Sequence, residues 1–212
     1  MMKLYIYEHC PFSTRVRMIF GMKGIPVEIA VVMEGDAETP TRLVGRKVVP
    51  ILQKDDGTAM AESMDIIRYV DETFGPRLLT DPVRNDIESW GQEARSTISK
   101  LAIPRMTKSS FAENATEAAQ KAYREREQKA LGDLDALIGD TPRLLVQAQA
   151  LLAKLELILQ DWPAFSVTDL VLYSQLRTLS IVKGIEFGPK ARNFTNAMLA
   201  IGGVPLLDDR AI

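Results

Sequence analysis

The chain of 212 residues has one cysteine and one histidine. A single thiol excludes an intramolecular disulfide, and two such ligands cannot fill a Cys/His zinc site, which takes about four. Thiol chemistry falls to Cys10 and imidazole chemistry to His9, and the two are neighbours. An excess of one charge is also lacking: 26 Lys+Arg stand against 28 Asp+Glu, a net charge of −2. Such a chain lacks the basic surface on which nucleic-acid binding rests, and has nothing to draw it to an anionic bilayer. There is no run of about 18 apolar residues for a membrane span. The most apolar stretch, 144–159, is interrupted by Gln147, Gln149, Lys154 and Glu156. The opening MMKLYIYEHCPF lacks the apolar core and cleavage site of a signal peptide. No nucleic acid, membrane or metal is therefore expected as a partner, and a reduced thiol in the cytoplasm is. With 46% hydrophobic and 25% charged residues, the chain reads as a globular protein with a sizeable core.

The first 75 residues alternate strand-like and helix-like segments. Residues 3–7 read as a strand, ended by Glu8-His9-Cys10-Pro11, with Pro11 suited to the first turn of a helix. Val16, Ile19 and Phe20 follow at helical spacing, and Gly21 and Gly24 are expected to stop that helix. Strands are expected over 25–33, 48–53 and 58–61, a short helix or irregular stretch over 36–44, and a helix carrying Ile66, Ile67, Tyr69 and Val70. The order β-α-β-α-β-β-α implies a parallel pair with a right-handed crossover and a hairpin at Asp56-Gly57. Residues 1–74 thus form an α/β domain, 75–84 a linker, and 85–212 an all-α domain. Helical stripes in the last part run through Trp90 to Leu101 before Pro104, Tyr123 to Ile138 before Gly139, and Leu144 to Leu159. Ser166-Val167-Thr168-Asp169 reads as a capping box with Phe165 and Leu170 at the staple positions, a structural device. A last helix is expected over 190–200.

Cys10 follows a strand and opens a helix. The first N–H groups of a helix are unpaired and its dipole favours an anion there. Such a position can lower a cysteine from about 8.5 to roughly 3.5–7.5. An exposed, ionised nucleophile is the expectation, against the alternative of an inert core thiol. Arg15 and Arg17 can add a cationic field, though at this spacing one faces away.

The stretch His9-Cys10-Pro11-Phe12-Ser13 resembles the Cys-Pro-aromatic-Cys active site of glutaredoxins. Val49-Pro50 resembles the cis-proline loop of thioredoxin-like proteins, and Glu62-Ser63 the pair that receives the γ-glutamyl group of glutathione. With YIYEHCPF, GDAETPTR, VPILQKDDG and ESMDI, and a helical second half with its Ser-x-x-Asp box, the whole chain resembles the bacterial glutaredoxin 2 family, built on a glutathione transferase-like fold. The resemblance implies an N-terminal thioredoxin-like βαβαββα domain with a C-terminal helical bundle. It also implies a cytoplasmic, monomeric glutathione-dependent thiol–disulfide oxidoreductase acting on glutathionylated or disulfide-containing proteins. Cys10 and Pro11 fall at its catalytic positions; Phe12, Val49, Pro50, Glu62 and Ser63 fall at its glutathione-binding positions. Ser13 stands where the family has its second cysteine, either as the native residue or as a replacement made to trap an intermediate. Without that cysteine only the monothiol, deglutathionylating route is open. Arg15, Arg46 and Lys47 are candidates for the glycine carboxylate of glutathione. His9 is read as shaping the turn more than as assisting Cys10, and Tyr5 and Tyr7 as strand residues.

Other readings stay open. One is a cysteine-type glutathione transferase acting on a hydrophobic electrophile, since the fold is shared. Another is an iron–sulfur carrier, because Cys-Pro-Phe-Ser differs from the Cys-Gly-Phe-Ser signature only at Pro11. A third is a binding module without catalysis.

Overall fold

The structure, a computed structural model, describes residues 1–159 and 165–212. The chain opens with β1 (Lys3–Ile6), α1 (Pro11–Met22), β2 (Glu28–Val31), α2 (Glu38–Val44), β3 (Ile51–Gln53), β4 (Ala59–Met60) and α3 (Ser63–Thr73). The sheet order is β2-β1-β3-β4. β1 runs parallel to β2, with Leu4 opposite Ile29, and antiparallel to β3, with Leu4 opposite Leu52. The β1–β3 pairing joins the expected parallel pair to the expected hairpin and makes one mixed sheet. In the hairpin turn, Asp56 Oδ1 accepts from the Thr58 N–H at 2.9 Å, and Gly57 takes φ +85°.

After α3 the described chain is helical: α4 (Asn85–Met106), α5 (Glu117–Leu131), α6 (Leu134–Gly139), α7 (Thr141–Ile158), α8 (Val167–Leu179) and α9 (Pro189–Gly202), with a 3₁₀ turn at Ala112–Asn114. An isolated parallel bridge joins Leu79 to Phe165. No helix among the described residues is long and apolar enough to cross a membrane. The element order and sheet are those of the thioredoxin-like βαβαββα domain with a C-terminal helical bundle that the resemblance implies.

One core runs through both parts. Leu4 and Ile6 on β1, Val16 and Ile19 on α1, and Ile66 on α3 are buried in the same cluster as Leu101, Leu155 and Leu176. Each such side chain contributes about 1.5–3 kcal/mol on burial. α1 is the shared element, packing against α3 on one side and against α8 and α9 on the other. Trp90 of α4 donates its indole N–H to the Leu151 carbonyl of α7 at 2.7 Å, so the long helical pair is held by a polar bond as well as by packing. The capping box forms as expected: Asp169 Oδ2 accepts from the Ser166 N–H at 2.7 Å, and the Ser166 hydroxyl from the Thr168 N–H at 3.2 Å.

Three expectations about helix ends are corrected. Gly21 does not stop α1; it lies inside it, where a Cβ would sit 2.0 Å from the Gly202 carbonyl oxygen of α9. The stop is Gly24, at φ +62°. Pro104 does not end α4 either. The helix runs to Met106, where buried Arg105 donates to the Leu101 carbonyl at 2.7 Å and to Thr141 Oγ1 at 2.8 Å. The single stripe from Tyr123 to Ile138 is two helices. Gly132 (φ +82°) breaks it, and Asp133 caps the second by accepting from the Asp135 and Ala136 N–H groups at 2.9 and 3.1 Å.

These contacts separate two glycine substitutions. Gly21→Ala drives a methyl into backbone and should cost about 1–3 kcal/mol. Gly139→Ala meets nothing within 4 Å and should be neutral or stabilising by about 0.4–1 kcal/mol. Urea unfolding of the two variants measures the difference.

Candidate active site

Cys10 is the N-cap of α1, with extended backbone (φ −67°, ψ 124°) and Pro11 at the first helical position. Its carbonyl accepts from the Thr14 N–H at 2.9 Å and the Thr14 hydroxyl at 3.1 Å, so the start of the helix is firmly closed. Cys10 is 9% exposed, in a small cluster with Tyr7 and Val32, flanked by Tyr5 and Val49. The expectation of an exposed, ionised thiol is therefore corrected. Burial pushes the Cys10 thiol up from its ordinary value; the Ser13 and Phe12 N–H groups and the Arg15 charge pull it down without overcoming that. The helix start does what its geometry requires, but the removal of water from the sulfur is the larger effect.

The turn before Cys10 is held from the far end of the chain. Glu113, fully buried on the 3₁₀ turn, accepts from the His9 N–H at 3.0 Å and lies 2.6 Å from His9 Nδ1. The imidazole is stacked on Tyr7 (ring centroids 5.7 Å apart) and on Tyr123 of α5 (4.6 Å). His9 thus shapes the turn and ties it to the helical part. Burial favours the neutral form of Glu113, but its hydrogen bonds from His9 outweigh this and hold the carboxyl below the usual range. Arg177 of α8, 2% exposed, adds bonds to the Glu8 carbonyl and to Thr14 Oγ1, both at 3.2 Å. Burial, with Arg17 beside it, pushes that guanidinium down to about 10. Arg210 pairs with the Glu8 carboxylate at 2.8 Å.

A cavity of about 740 Å³ opens where the two parts meet, a size suited to a small-molecule ligand. One wall is Cys10, Pro11, Phe12, Arg15, Lys47 and Val49; the other comes from α4, α5 and α8, including Arg95, Tyr123, Arg126 and Gln175. Of the residues at the family's catalytic and glutathione-binding positions, Cys10, Pro11, Phe12 and Val49 line it, as do His9 and Lys47. Ser13 is buried beneath, and Pro50, Glu62 and Ser63 lie outside the lining. The Val49–Pro50 peptide is cis, the geometry that the resemblance implies. Glu62 is the one non-glycine residue at positive φ (68°) among those described, just before α3, and its carboxylate pairs with Arg46. Tyr5 donates to Gln53 at 3.1 Å, while Tyr7 sits on the cavity wall with its hydroxyl pKa raised by burial. Arg15 faces the cavity; Arg17 does not line it. Glu113, Tyr123, Arg126 and Arg177 were not legible in the sequence. The only hint was His9 itself, a polar side chain in an apolar turn that needs an acceptor.

The family described as Glutaredoxin 2, C terminal domain, matches residues 86–211, and that described as Glutathione S-transferase, N-terminal domain, matches residues 4–78. Glutaredoxin 2 of Escherichia coli (strain K12) is 40% identical over 215 aligned residues, covering 100% of each chain. The chain belongs to the glutaredoxin 2 family. A crystal structure of glutaredoxin 2 from Salmonella typhimurium, in complex with glutathione, matches at 39% identity with a TM-score of 0.96 over 100% of this chain and 99% of that one. A glutathione transferase from Phanerochaete chrysosporium shares the fold at 19% identity, with a TM-score of 0.70 over 94% and 96% of the two chains.

In this member of the glutaredoxin 2 family the His9–Glu113 bond makes two measurable demands. Glu113→Ala strands two donors, each at about 1–3 kcal/mol, and should lower stability accordingly in urea. Because the folded carboxyl titrates below its unfolded value, this stabilisation is present above the unfolded pKa and fades as pH falls through the folded one. The gap between wild type and variant should narrow on acidification. For Cys10, the rate of iodoacetamide alkylation should rise into the alkaline range with a midpoint above about 8.5, the ordinary value.

Proposed function

We propose that the chain is a glutathione-dependent thiol–disulfide oxidoreductase that works by the monothiol, deglutathionylating route. The observation that carries this is the chain's one thiol on the cavity wall at the start of α1, in a member of the glutaredoxin 2 family. In the first step the Cys10 thiolate attacks the glutathionyl sulfur of a mixed disulfide. A Cys10–glutathione disulfide forms, and the substrate thiolate leaves and takes up a proton. A second glutathione thiolate then attacks that glutathionyl sulfur, releasing glutathione disulfide and returning Cys10 as thiolate. No outside oxidant or reductant is needed, since glutathione supplies both electrons. Ser13 has no sulfur with which to close an intramolecular disulfide, which leaves this route.

Glutathione as co-substrate is supported by the complex described for the Salmonella typhimurium relative. In this reading the Val49 backbone pairs with the peptide of glutathione as a short added strand. The N–H groups at the start of α3, with Glu62 and Ser63, receive the γ-glutamyl carboxylate. Phe12, 46% exposed, offers an apolar ring beside the sulfur. Arg46 is engaged by Glu62, so Lys47, which lines the cavity, is the better candidate for the glycine carboxylate. The same reading divides the chain at 1–74, 75–84 and 85–212.

A second reading, the cysteine-type transferase, is favoured by the apolar side chains that α4 and α8 give to the cavity, among them Ile87, Ile98, Met106 and Val171. The two separate by assay. We expect turnover of a glutathionylated peptide and none of an aryl halide, with Cys10→Ala reducing the first to background. Ser13→Cys should add reduction of a protein disulfide that the wild type lacks. A wild type that reduces such disulfides as fast as the Ser13→Cys variant, or a Cys10→Ala variant that retains turnover, would overturn the proposal.

A further inference from the structure

The cations of the cavity are not alike. Arg126 is neutralised by Glu34 at 2.6 Å and Glu127 at 2.9 Å, and lies over the Tyr7 and Tyr123 rings. Arg15 and Arg95 have no carboxylate partner among the described residues. Arg15, on α1 five residues after Cys10, is fixed in place. Its Nε donates to Ser174 Oγ at 3.0 Å, and its guanidinium lies 4.8 Å from the centroid of the Phe12 ring. Arg95 lines the opposite wall on α4 and is exposed. Arg95 is near enough to disfavour the charge of Arg15, and Arg15 also acts on Cys10. Glu88, the acidic residue of α4 on the same wall, is two turns from Arg95, about 10 Å along the axis, and forms an ion pair with neither arginine. Two like charges held beside a cavity without a counter-ion are an arrangement that a bound anion relieves.

Lys47 and Val49 are on the wall assigned above to the glutathionyl group that becomes bonded to Cys10. Arg95 marks an approach to the same sulfur from the opposite, α4, wall, and Arg15, which shares the wall of Cys10, is close enough to feel its charge. We propose that Arg15 and Arg95 bind a carboxylate of the thiol that resolves the Cys10 mixed disulfide, so that the second co-substrate is selected as a carboxylate-bearing thiol, such as a second glutathione. This rests on the monothiol reading. In the step concerned, the incoming thiolate forms a bond to the glutathionyl sulfur and the Cys10–sulfur bond breaks. Arg15 then faces the Cys10 thiolate as it leaves, before that thiolate takes up a proton.

The test uses the full chain with Cys10 first converted to its glutathione adduct by glutathione disulfide and checked by mass spectrometry. Release of the adduct is then timed with glutathione and with uncharged 2-mercaptoethanol. The ratio of the two rates should fall about two- to fivefold in Arg95→Gln, the range for an exposed charge pair, and should recover in Arg95→Lys. Raising the salt concentration should lower the ratio in wild type and not in Arg95→Gln. An unchanged ratio in Arg95→Gln, with the adduct forming normally, overturns the carboxylate site and leaves the monothiol reading standing. Failure of wild type to form the adduct overturns that reading, and this inference with it.

Discussion

A single buried carboxylate sets where the thiol stands. Glu113 takes both the main-chain N–H and the imidazole of His9, the residue before Cys10, and it comes from a turn 104 positions along the chain. A carboxylate without water must be hydrogen-bonded, and the turn before α1 supplies the donors. Tyr123 closes over the imidazole, and Arg177 holds Glu8 and Thr14 from the other side. The helical domain thus holds the turn that carries the thiol, at the edge of the cavity where the two parts meet.

The same enclosure decides the character of the thiol. The start of α1 directs N–H groups at Cys10 and favours a thiolate, while the packing of Tyr7, Val32 and Val49 around the sulfur disfavours it more strongly. A less acidic thiol gives fewer thiolates at neutral pH, but each is a better nucleophile and a poorer leaving group. For a monothiol cycle this shifts the burden to the second step, in which Cys10 must leave. In the proposed cycle, the positive charge at Arg15 and an incoming thiol drawn to the α4 wall would both act on that step.

Local devices were readable in advance wherever chemistry and sequence neighbourhood coincide. Pro11 opens α1, the Asp56-Gly57 hairpin forms, and Asp169 completes the cap of α8, because each depends on residues within a turn of one another. The errors have the opposite cause. Gly21 looked like a helix stop and is instead the place where α1 touches α9, a contact that only the packed chain contains. Pro104 looked like an end, but Arg105 finds acceptors beyond its own helix at Thr141. The break at Gly132 was legible in principle, since Gly-Asp before Leu134 is a stop and a cap in succession.

The amino-acid sequence alone determined the location of the thiol at a strand-to-helix junction, the serine three residues after it, and the order of the strands and helices in the first 75 residues. These follow from residue identity and short-range geometry. Tertiary structure decided how acidic that thiol is, which arginines keep a free charge, and which carboxylate holds the turn. Each of those depends on what lies across the cavity or on the exclusion of water by residues more than a hundred positions away, and no local pattern carries that information.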